Sequence, residues 1–282
     1  MIYVADKGRM ANNIFQYGHM YAWAREHGRK SVSMRFAYKY PFFHITHTKY
    51  HSYLVYLLAK YAAKFHFIPT VEYTSFKSEY KEEEAVINSH KNVLVKGWPV
   101  RYPELYLKYL DEIRELFAFD PVIHKVVDKK LSSYQQSIKL GVHIRRGDYK
   151  TFFNGRYFYT DEQYLAVIKK FIRIQKEKDP SKRIDVFICG NDPKLNKSFY
   201  IGALGAEYVH FPQGTGVEDM YMLSQCDYIV GAPSSYSLIA SMYDDATKLY
   251  WIKDPQKKLS ETDFEPFKVL FTQFDSCFCA EK

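Results

Sequence analysis

Apolar runs separated by turn signals divide the chain into short strands and helices. A buried run predicts a strand at Ile2–Ala5, and apolar residues at helical spacing predict a helix over Ala11–His27. In the second half the predicted strands are Ile138–Ile144, Ile184–Cys189, Ala206–Val209, Tyr228–Val230 and Lys248–Ile252. The helices predicted between them are Thr160–Lys178, Pro193–Leu204, Val217–Cys226 and Ser235–Tyr243. Such alternation predicts an α/β protein with parallel sheets covered by helices.

The first half is less regular. A strand is predicted at Val93–Val95, a helix near Ser52–Phe65, and two proline-initiated helices at Pro103–Phe117 and Pro121–Gln136. The rest of the stretch between residues 38 and 84 is rich in Tyr, His and Lys and does not resolve further. The polar segment Ser132–Ser137 is the best linker. We therefore expect an amino-terminal domain of residues 1–136 and a carboxy-terminal domain of residues 137–282, whose last segment is free to pack back on the first.

Composition excludes several classes of protein. With 47% hydrophobic and 26% charged residues among 282, the chain is a globular protein and not a disordered one. No run approaches the roughly 18 apolar residues of a membrane span, and the apolar start is too short for a signal peptide. The four cysteines, which form no metal-binding spacing and favour a reduced, cytosolic setting, are Cys189, Cys226, Cys277 and Cys279.

A formal net charge of +8 suits a negatively charged partner. The basic residues are dispersed and interrupted by acids, as in Lys81-Glu82-Glu83-Glu84, which is typical of solvated helix faces. Nucleic acid is therefore the weaker interpretation, and a phosphorylated small molecule or a membrane surface remains open.

The segment His143–Tyr149 is the most informative motif. The apolar strand before it runs directly into Arg145, Arg146, Gly147 and Asp148. Arginine offers a rigid fork of donors to a phosphate or carboxylate, and parallel sheets bind ligands beyond the carboxyl ends of their strands. Strand alternation places the two arginines on opposite faces, so only one need touch the ligand. The alternative is that an arginine pairs with Asp148 merely to hold the turn.

Two further strands end in polar residues before a helix. Asn191 and Asp192 follow one of them, and Ser234 and Ser235 follow another. Each pair suits a nucleotide, through its base, ribose or diphosphate, but each also suits helix capping. Glu218 and Asp219 lie at the start of a helix, where they favour its dipole.

Some signals are absent from the sequence. It contains no Asp-x-Asp element, no Walker sequence, no Gly-x-Ser-x-Gly and no His-Glu-x-x-His. We therefore expect that a bound diphosphate is neutralised by arginine and helix dipoles, with no metal and no cofactor.

The sequence resembles the α-1,2-fucosyltransferases of bacterial and animal type, which belong to a wider group with α-1,6- and protein O-fucosyltransferases. His143–Tyr149 is similar to the family motif His-x-Arg-Arg-x-Asp-Tyr, and residues 7–17 are similar to its amino-terminal Gly-Gly-Leu-Gly-Asn-Gln-Met-Phe-Gln-Tyr. Cys189–Asp192 resembles its Ser-Asn-Asp, and Ser234–Ser237 its Ser-Ser-Phe-Ser. The chain departs from the pattern at Ala11, Asn13, Leu238 and Ile239, which leaves acceptor and linkage open.

The resemblance implies a GT-B fold, in which two Rossmann-like domains with parallel sheets face each other across a cleft. It implies that Arg145 binds the diphosphate of GDP-fucose and is catalytic. The other donor-binding residues that it implies are His143, Arg146, Asp148, Asn12, Asn191, Asp192, Ser234 and Ser235.

The implied reaction inverts the anomeric carbon of fucose and joins it to a glycan or glycolipid acceptor, by analogy at galactose O-2, in the synthesis of cell-surface polysaccharide. The base is not identified, and Asp6 at the end of the first strand is one candidate. A cytoplasmic location is expected, with peripheral association at the inner membrane face left open. The alternatives are transfer from another GDP-sugar and a non-catalytic relative that binds nucleotide sugar.

Overall fold

The computed structural model describes residues 1–278, so Cys279 lies outside the described residues. The chain forms two compact units, one of residues Met1–Val122 and one from Ile123 onward. The predicted division at residue 136 lies after the helix Pro121–Leu131. From Ile123 onward that helix belongs to the second unit, where Asp128 accepts a hydrogen bond from the Tyr221 hydroxyl at 2.9 Å.

The amino-terminal unit is built on a four-stranded parallel sheet of order β2-β1-β4-β3. Its strands are β1 (Ile2–Val4), β2 (Ser31–Ser33), β3 (Thr70–Glu72) and β4 (Val93–Lys96). Its helices are α1 (Met10–Glu26), α2 (Phe36–Lys39), α3 (Tyr53–Lys64), α4 (Lys81–Ser89), α5 (Pro103–Lys108) and α6 (Leu110–Leu116). Helix α1 is buried on nearly every side, which is why its apolar residues extend beyond a single stripe.

The predicted helix Pro103–Phe117 is wrong as a single element. The backbone of Tyr109 (φ −104°, ψ 21°) leaves the helical range and separates α5 from α6. Helix α3 is confirmed where it was expected, and it begins where the Ser52 hydroxyl accepts a hydrogen bond from the Val55 amide at 3.3 Å.

The carboxy-terminal unit contains a six-stranded sheet of order β10-β9-β8-β5-β6-β7, parallel except for β10. Its strands are β5 (Ile138–Ile144), β6 (Ile184–Gly190), β7 (Val209–His210), β8 (Tyr228–Gly231), β9 (Lys248–Trp251) and β10 (Glu265–Pro266). Its helices are α7 (Pro121–Leu131), α8 (Asp161–Lys178), α9 (Lys197–Leu204), α10 (Gly216–Ser224), α11 (Ser235–Ser241) and α12 (Phe267–Gln273). The five parallel strands are those that the alternating pattern predicts.

Helix α8 shows how the pattern produces the core. Tyr164, Ile168, Phe171 and Gln175 recur at helical spacing and are all buried. The apolar ones join Leu140, Val142 and Ile144, which alternate toward one side of β5, in the main hydrophobic cluster.

One helix start and one helix end differ from the prediction. Helix α9 begins at Lys197 and not at Pro193, because Asn196 caps it by accepting from the Phe199 amide at 3.1 Å. The helix Pro121–Gln136 ends at Leu131 and continues only as a 3₁₀ turn over Ser132–Tyr134. Within residues 1–278, no helix combines the length and apolar character that crossing a bilayer requires.

Candidate active site

The strand order defines where the carboxy-terminal sheet can bind a ligand. The chain leaves β5 toward β6 on one side and later returns to place β8 on the other side. Such a switch point opens a crevice beyond the carboxyl ends of the two strands. The His143–Tyr149 motif follows β5, and Ser234 and Ser235 follow β8, so the sheet brings two predicted clusters to this crevice. Asn191 and Asp192 follow β6, the other neighbour of β5.

Arg146 bonds the His143–Tyr149 motif to other parts of the carboxy-terminal unit. Its Nη1 donates to Asp192 at 3.1 Å, its Nη2 to Asp161 at 2.6 Å, and its Nε to the Tyr159 carbonyl at 3.0 Å. Burial works against the charge, but the bonds with Asp161 and Asp192 outweigh it and raise the pKa of Arg146. Every nitrogen of this guanidinium therefore has a protein partner.

Asp192 and Asn191 are also engaged. The second oxygen of Asp192 accepts from the Lys194 amide at 2.9 Å, and Asn191 Oδ1 accepts from the Arg146 amide at 3.0 Å. Gly147 has φ +40°, and a Cβ there would lie 2.6 Å from Asn191 Nδ2. The turn thus requires glycine so that the β5 and β6 ends can approach.

Arg145 is held differently. Its Nη2 contacts both Asp148 oxygens, at 2.7 and 2.9 Å, and its guanidinium lies 5.2 Å from the centre of the Tyr149 ring. Its backbone amide donates to the Tyr164 hydroxyl at 3.2 Å. Nε is buried and has no hydrogen-bond partner among residues 1–278. One edge of the guanidinium is therefore fixed by Asp148, while Nε remains a donor without an acceptor.

His143 is a buried neutral group. Its ring lies 4.7 Å from that of Tyr236, and its Nδ1 has no hydrogen-bond partner within the described part of the chain. Burial, assisted by the charge of Arg145, lowers the pKa of His143 to about 3. The imidazole is therefore uncharged at neutral pH and can donate or accept one hydrogen bond.

The third cluster borders the same motif. Ser234 is the N-cap of α11, and its hydroxyl accepts from the Tyr236 amide at 3.2 Å. Ser235 is the first residue of the helix. The Tyr149 hydroxyl donates to the Pro233 carbonyl at 2.5 Å, which joins the motif to this turn.

For Asp219 the sequence predicted only a favourable interaction with the dipole of its own helix. Its neighbour Glu218 does close the α10 capping box with Thr215. Asp219 is instead half-buried, and its Oδ1 is shielded from water and has no hydrogen-bond partner among the described side chains and backbone. Burial, with a smaller effect from Glu218, raises the pKa of Asp219 to about 7. The sequence carries no signal for this difference, because adjacent helical acids look alike until the helix is packed.

The surroundings of Asp219 place it with the motif. Burial raises the pKa of both Tyr236 and Cys189, and the Asp219 carboxylate adds to the rise in each. The Tyr236 and His143 rings lie 4.7 Å apart at an angle of 32°, and Cys189 pairs with His143 across β5 and β6. The Tyr236 hydroxyl donates to the Gly216 carbonyl at 2.6 Å, so Tyr236 links His143 to α10, and His143 and Asp219 each carry a polar atom without a partner.

Two predicted residues lie in the amino-terminal unit. Asn12 is in the first turn of α1, next to Gly8, whose φ of +79° brings the preceding loop close to its side chain. Asn13 accepts from the Lys7 amide at 2.7 Å and so holds that loop. Asp6 accepts from the Arg35 amide at 3.1 Å and lies 3.4 Å from Lys39 Nζ, and burial raises its pKa.

Among residues 1–278, no three His, Cys, Asp or Glu side chains lie where they could hold one metal ion.

The fold and the motifs agree with a known family. The model of Glycosyl transferase family 11 matches residues 1–265. The chain belongs to this family. A search of curated protein sequences found no match.

Solved structures similar to this family member show the same fold. A mutant of Arabidopsis thaliana FUT1 in complex with GDP has a TM-score of 0.61 at 12% identity, covering 94% of this chain and 73% of that one. POFUT1 in complex with GDP-fucose has a TM-score of 0.56 at 12% identity, covering 86% and 94%. NodZ α-1,6-fucosyltransferase soaked with GDP-fucose has a TM-score of 0.55 at 12% identity, covering 91% and 97%. The expected GT-B class with two Rossmann-like domains is confirmed.

Proposed function

We propose that this glycosyltransferase moves L-fucose from GDP-β-L-fucose to a hydroxyl of a glycan acceptor with inversion, at galactose O-2 in an α-1,2 linkage. Membership of the family and the GDP-fucose named for the similar POFUT1 and NodZ structures support the donor. The observation that carries the proposal is Arg145, whose guanidinium is anchored on one edge by Asp148 and has a buried Nε without a partner.

The chemistry follows from that arrangement. The bond between the anomeric carbon and the β-phosphate oxygen breaks, and its electrons pass to the leaving GDP. Negative charge grows on the diphosphate in the transition state, so a preorganised guanidinium binds it more tightly than it binds the intact donor. The acceptor oxygen then bonds to the opposite face of the sugar and loses its proton. In this proposal Arg145 neutralises the diphosphate, and neither metal nor cofactor is required.

The other motif residues have distinct parts in the proposal. Asp148 positions Arg145, while Arg146 and Asn191 hold the turn that presents it. Ser234 and Ser235 lie at the start of α11, where we expect the diphosphate to bind. Asn12 of the amino-terminal unit, which the resemblance implies as a donor contact, stays a prediction.

We assign the guanine base to His143 and Asp219. A guanine presents the N1–H and the exocyclic amino group side by side as donors, which a carboxylate can accept together. Asp219 offers a buried oxygen without a partner, and the neutral His143 lies beside Tyr236, whose hydroxyl donates to the Gly216 carbonyl in the same helix as Asp219. Asp192, the residue that the resemblance implies for guanosine, uses both its oxygens within the protein.

Replacing Asp219 with asparagine should remove the preference for GDP over IDP, which lacks the exocyclic amino group. We expect the wild-type protein to favour GDP by about tenfold, the value of one charge-assisted hydrogen bond. Because a free carboxyl with a pKa of about 7 must ionise to accept both donors, wild-type affinity should rise from pH 5 to pH 8. Calorimetric titrations with GDP and IDP across this range would test both points.

The control for that experiment is Glu218→Gln, which changes the neighbouring acid that caps α10. It should keep the GDP preference, and its affinity should rise at slightly lower pH than that of the wild type, because the Glu218 charge contributes to the raised pKa of Asp219. An Asp219→Asn protein that still discriminates GDP from IDP would exclude Asp219 from base recognition.

Incubation with GDP-fucose and a panel of β-galactosides, followed by linkage analysis of the product, tests the proposed reaction. We expect an α-1,2-fucosylated product, formed equally well in EDTA, and no product from GDP-mannose or UDP-galactose. A stabilisation of the fold by GDP without turnover of any GDP-sugar would indicate a non-catalytic relative, and turnover of GDP-mannose alone would identify another GDP-sugar as donor.

The cysteines support a reducing compartment for the reaction. Cys189, Cys226 and Cys277 are free and buried, as is usual in proteins of the cytoplasm. We propose a cytoplasmic location on this ground.

A further inference from the structure

Helix α3 presents an apolar stripe outward. Leu54, Leu58, Tyr61 and Phe65 occur at positions i, i+4, i+7 and i+11, which lie on one face of a helix. All four are exposed, and Leu54 retains 67% of its accessible surface. Only Ala59 of this helix is buried. The amphipathic pattern of α3 therefore has its strong apolar face directed away from the core.

The turn after α3 extends the same surface. The amides of His66 and Phe67 donate back to the carbonyls of Ala63 and Ala62, at 3.1 and 2.8 Å, in the arrangement of a Schellman cap. His66 occupies the left-handed position usually taken by glycine, with φ +61°. Phe67, which follows it, is 82% exposed. The left-handed backbone of His66, which is unfavourable for a residue other than glycine, thus places the Phe67 ring in water.

The exposed apolar area is larger than scattered surface residues would produce. Together with Tyr53, the stripe and Phe67 expose roughly 700 Å², taking about 200 Å² for each full-sized side chain, whereas monomers rarely expose more than a few hundred. This surface, formed by Tyr53, Leu54, Leu58, Tyr61, Phe65 and Phe67, is called the α3 surface below.

The chain segment that contains the α3 surface carries charge of one sign. The 45 residues from His27 to Val71 contain seven Lys and Arg residues but no Asp or Glu, where the average composition would supply about five acids. Lys60 and Lys64 flank the stripe on α3 itself, and the Lys60 ammonium lies 5.8 Å from the Tyr56 and Tyr61 rings. Their apolar stems therefore run along the stripe while their charged ends stay in water, as lysines do at a lipid interface.

We propose that the α3 surface is a membrane-binding site that inserts its leucine and aromatic side chains into an anionic lipid bilayer. The combination of an apolar stripe, flanking lysines and interfacial tyrosines is that of a helix lying in the headgroup plane. The absence of acids over 45 residues removes the repulsion that an anionic surface would otherwise meet. The inference concerns the amino-terminal unit and does not rest on the proposed donor or reaction.

Binding of the full-length protein to vesicles tests this. Vesicles of phosphatidylcholine with roughly one-third phosphatidylglycerol should bind the wild type, and vesicles of phosphatidylcholine alone should bind it weakly. Leu54→Glu with Leu58→Glu should lower binding tenfold or more, because two exposed leucines that would enter the bilayer are replaced by charges. Lys60→Ala with Lys64→Ala should lower it about fivefold for each lysine, and high salt should do the same.

Matched controls lie on other helices. Ile201→Glu with Val269→Glu replaces two exposed apolar residues of α9 and α12, and Lys169→Ala with Arg173→Ala removes two exposed charges from α8. Both pairs should bind vesicles like the wild type. Thermal unfolding should be unchanged in all four variants, since every replaced side chain is exposed.

Two results would overturn the proposal. One is a wild-type protein that does not bind the anionic vesicles. The other is self-association in sedimentation velocity that the α3 leucine variant abolishes while vesicle binding stays unchanged, because the α3 surface would then be an interface between copies of the chain. Vesicle binding requires no donor sugar, so a failure of the proposed reaction leaves this test intact.

Discussion

Replacing Arg145 with lysine should lower the rate of sugar transfer by about 10²-fold or more while leaving the fold intact. Lysine keeps the positive charge but loses the planar fork that allows one edge to bind Asp148 and another to face a diphosphate. Loss of a single preorganised donor to a developing anion typically costs about 10² to 10³ in rate. The stacking on Tyr149 would also be weakened, so the remaining ammonium would be poorly positioned.

Single-turnover rates with saturating GDP-fucose would measure this effect on the chemical step. Circular dichroism and thermal unfolding would show whether the fold persists. Arg173→Lys, an exposed arginine of α8, is the matched control and should transfer sugar at the wild-type rate. Near-normal turnover by Arg145→Lys would remove Arg145 from the catalytic role.

Replacing Arg146 with alanine should destabilise the carboxy-terminal unit by about 3–5 kcal/mol, the usual cost of removing one partner from a buried ion pair. Asp161 and Asp192 would keep their charges in a largely buried site without the guanidinium that pairs with both. The Tyr159 carbonyl would lose its hydrogen bond as well. A loss of this size is a large part of the stability of an ordinary domain.

Urea unfolding at pH 7 would measure the change, with Arg173→Ala as a control expected to stay within about 0.5 kcal/mol of the wild type. The roles of the two neighbouring arginines should then be distinguishable, because Arg145 variants lose activity and Arg146 variants lose stability. An Arg146→Ala protein that unfolds like the wild type but no longer binds GDP would show instead that Arg146 contacts the donor.

Local patterns predicted much of the carboxy-terminal unit because each of its central elements is long or strongly periodic. Strand β5 has seven residues with an apolar side chain at every second position, and α8 carries its buried residues at regular helical spacing. In the amino-terminal unit, β2 and β3 have only three residues each, too few for a period to appear. Their pairing with β1 and β4 comes from contacts between residues far apart in sequence.

Some features of the candidate site were likewise predictable from the sequence, and others were not. The sequence by itself determined that His143–Tyr149 ends a buried strand, that two arginines leave it on opposite faces, and that polar residues end the strands on either side. Those features depend on residue type and on the alternation of one strand. They were sufficient to indicate an anion site and the family that shares the motif.

Only the tertiary structure decided how the two arginines differ and which acid is left without partners. Arg146 meets Asp161 and Asp192 through folding of the chain between β5 and β6, while Arg145 retains a donor with no acceptor among residues 1–278. Asp219 and Glu218 are adjacent acids in one helix, yet packing buries an oxygen of the first without a partner and leaves the second as a cap. The burial of a side chain and its hydrogen-bond partners depend on contacts with residues distant in sequence, so no local pattern predicts them.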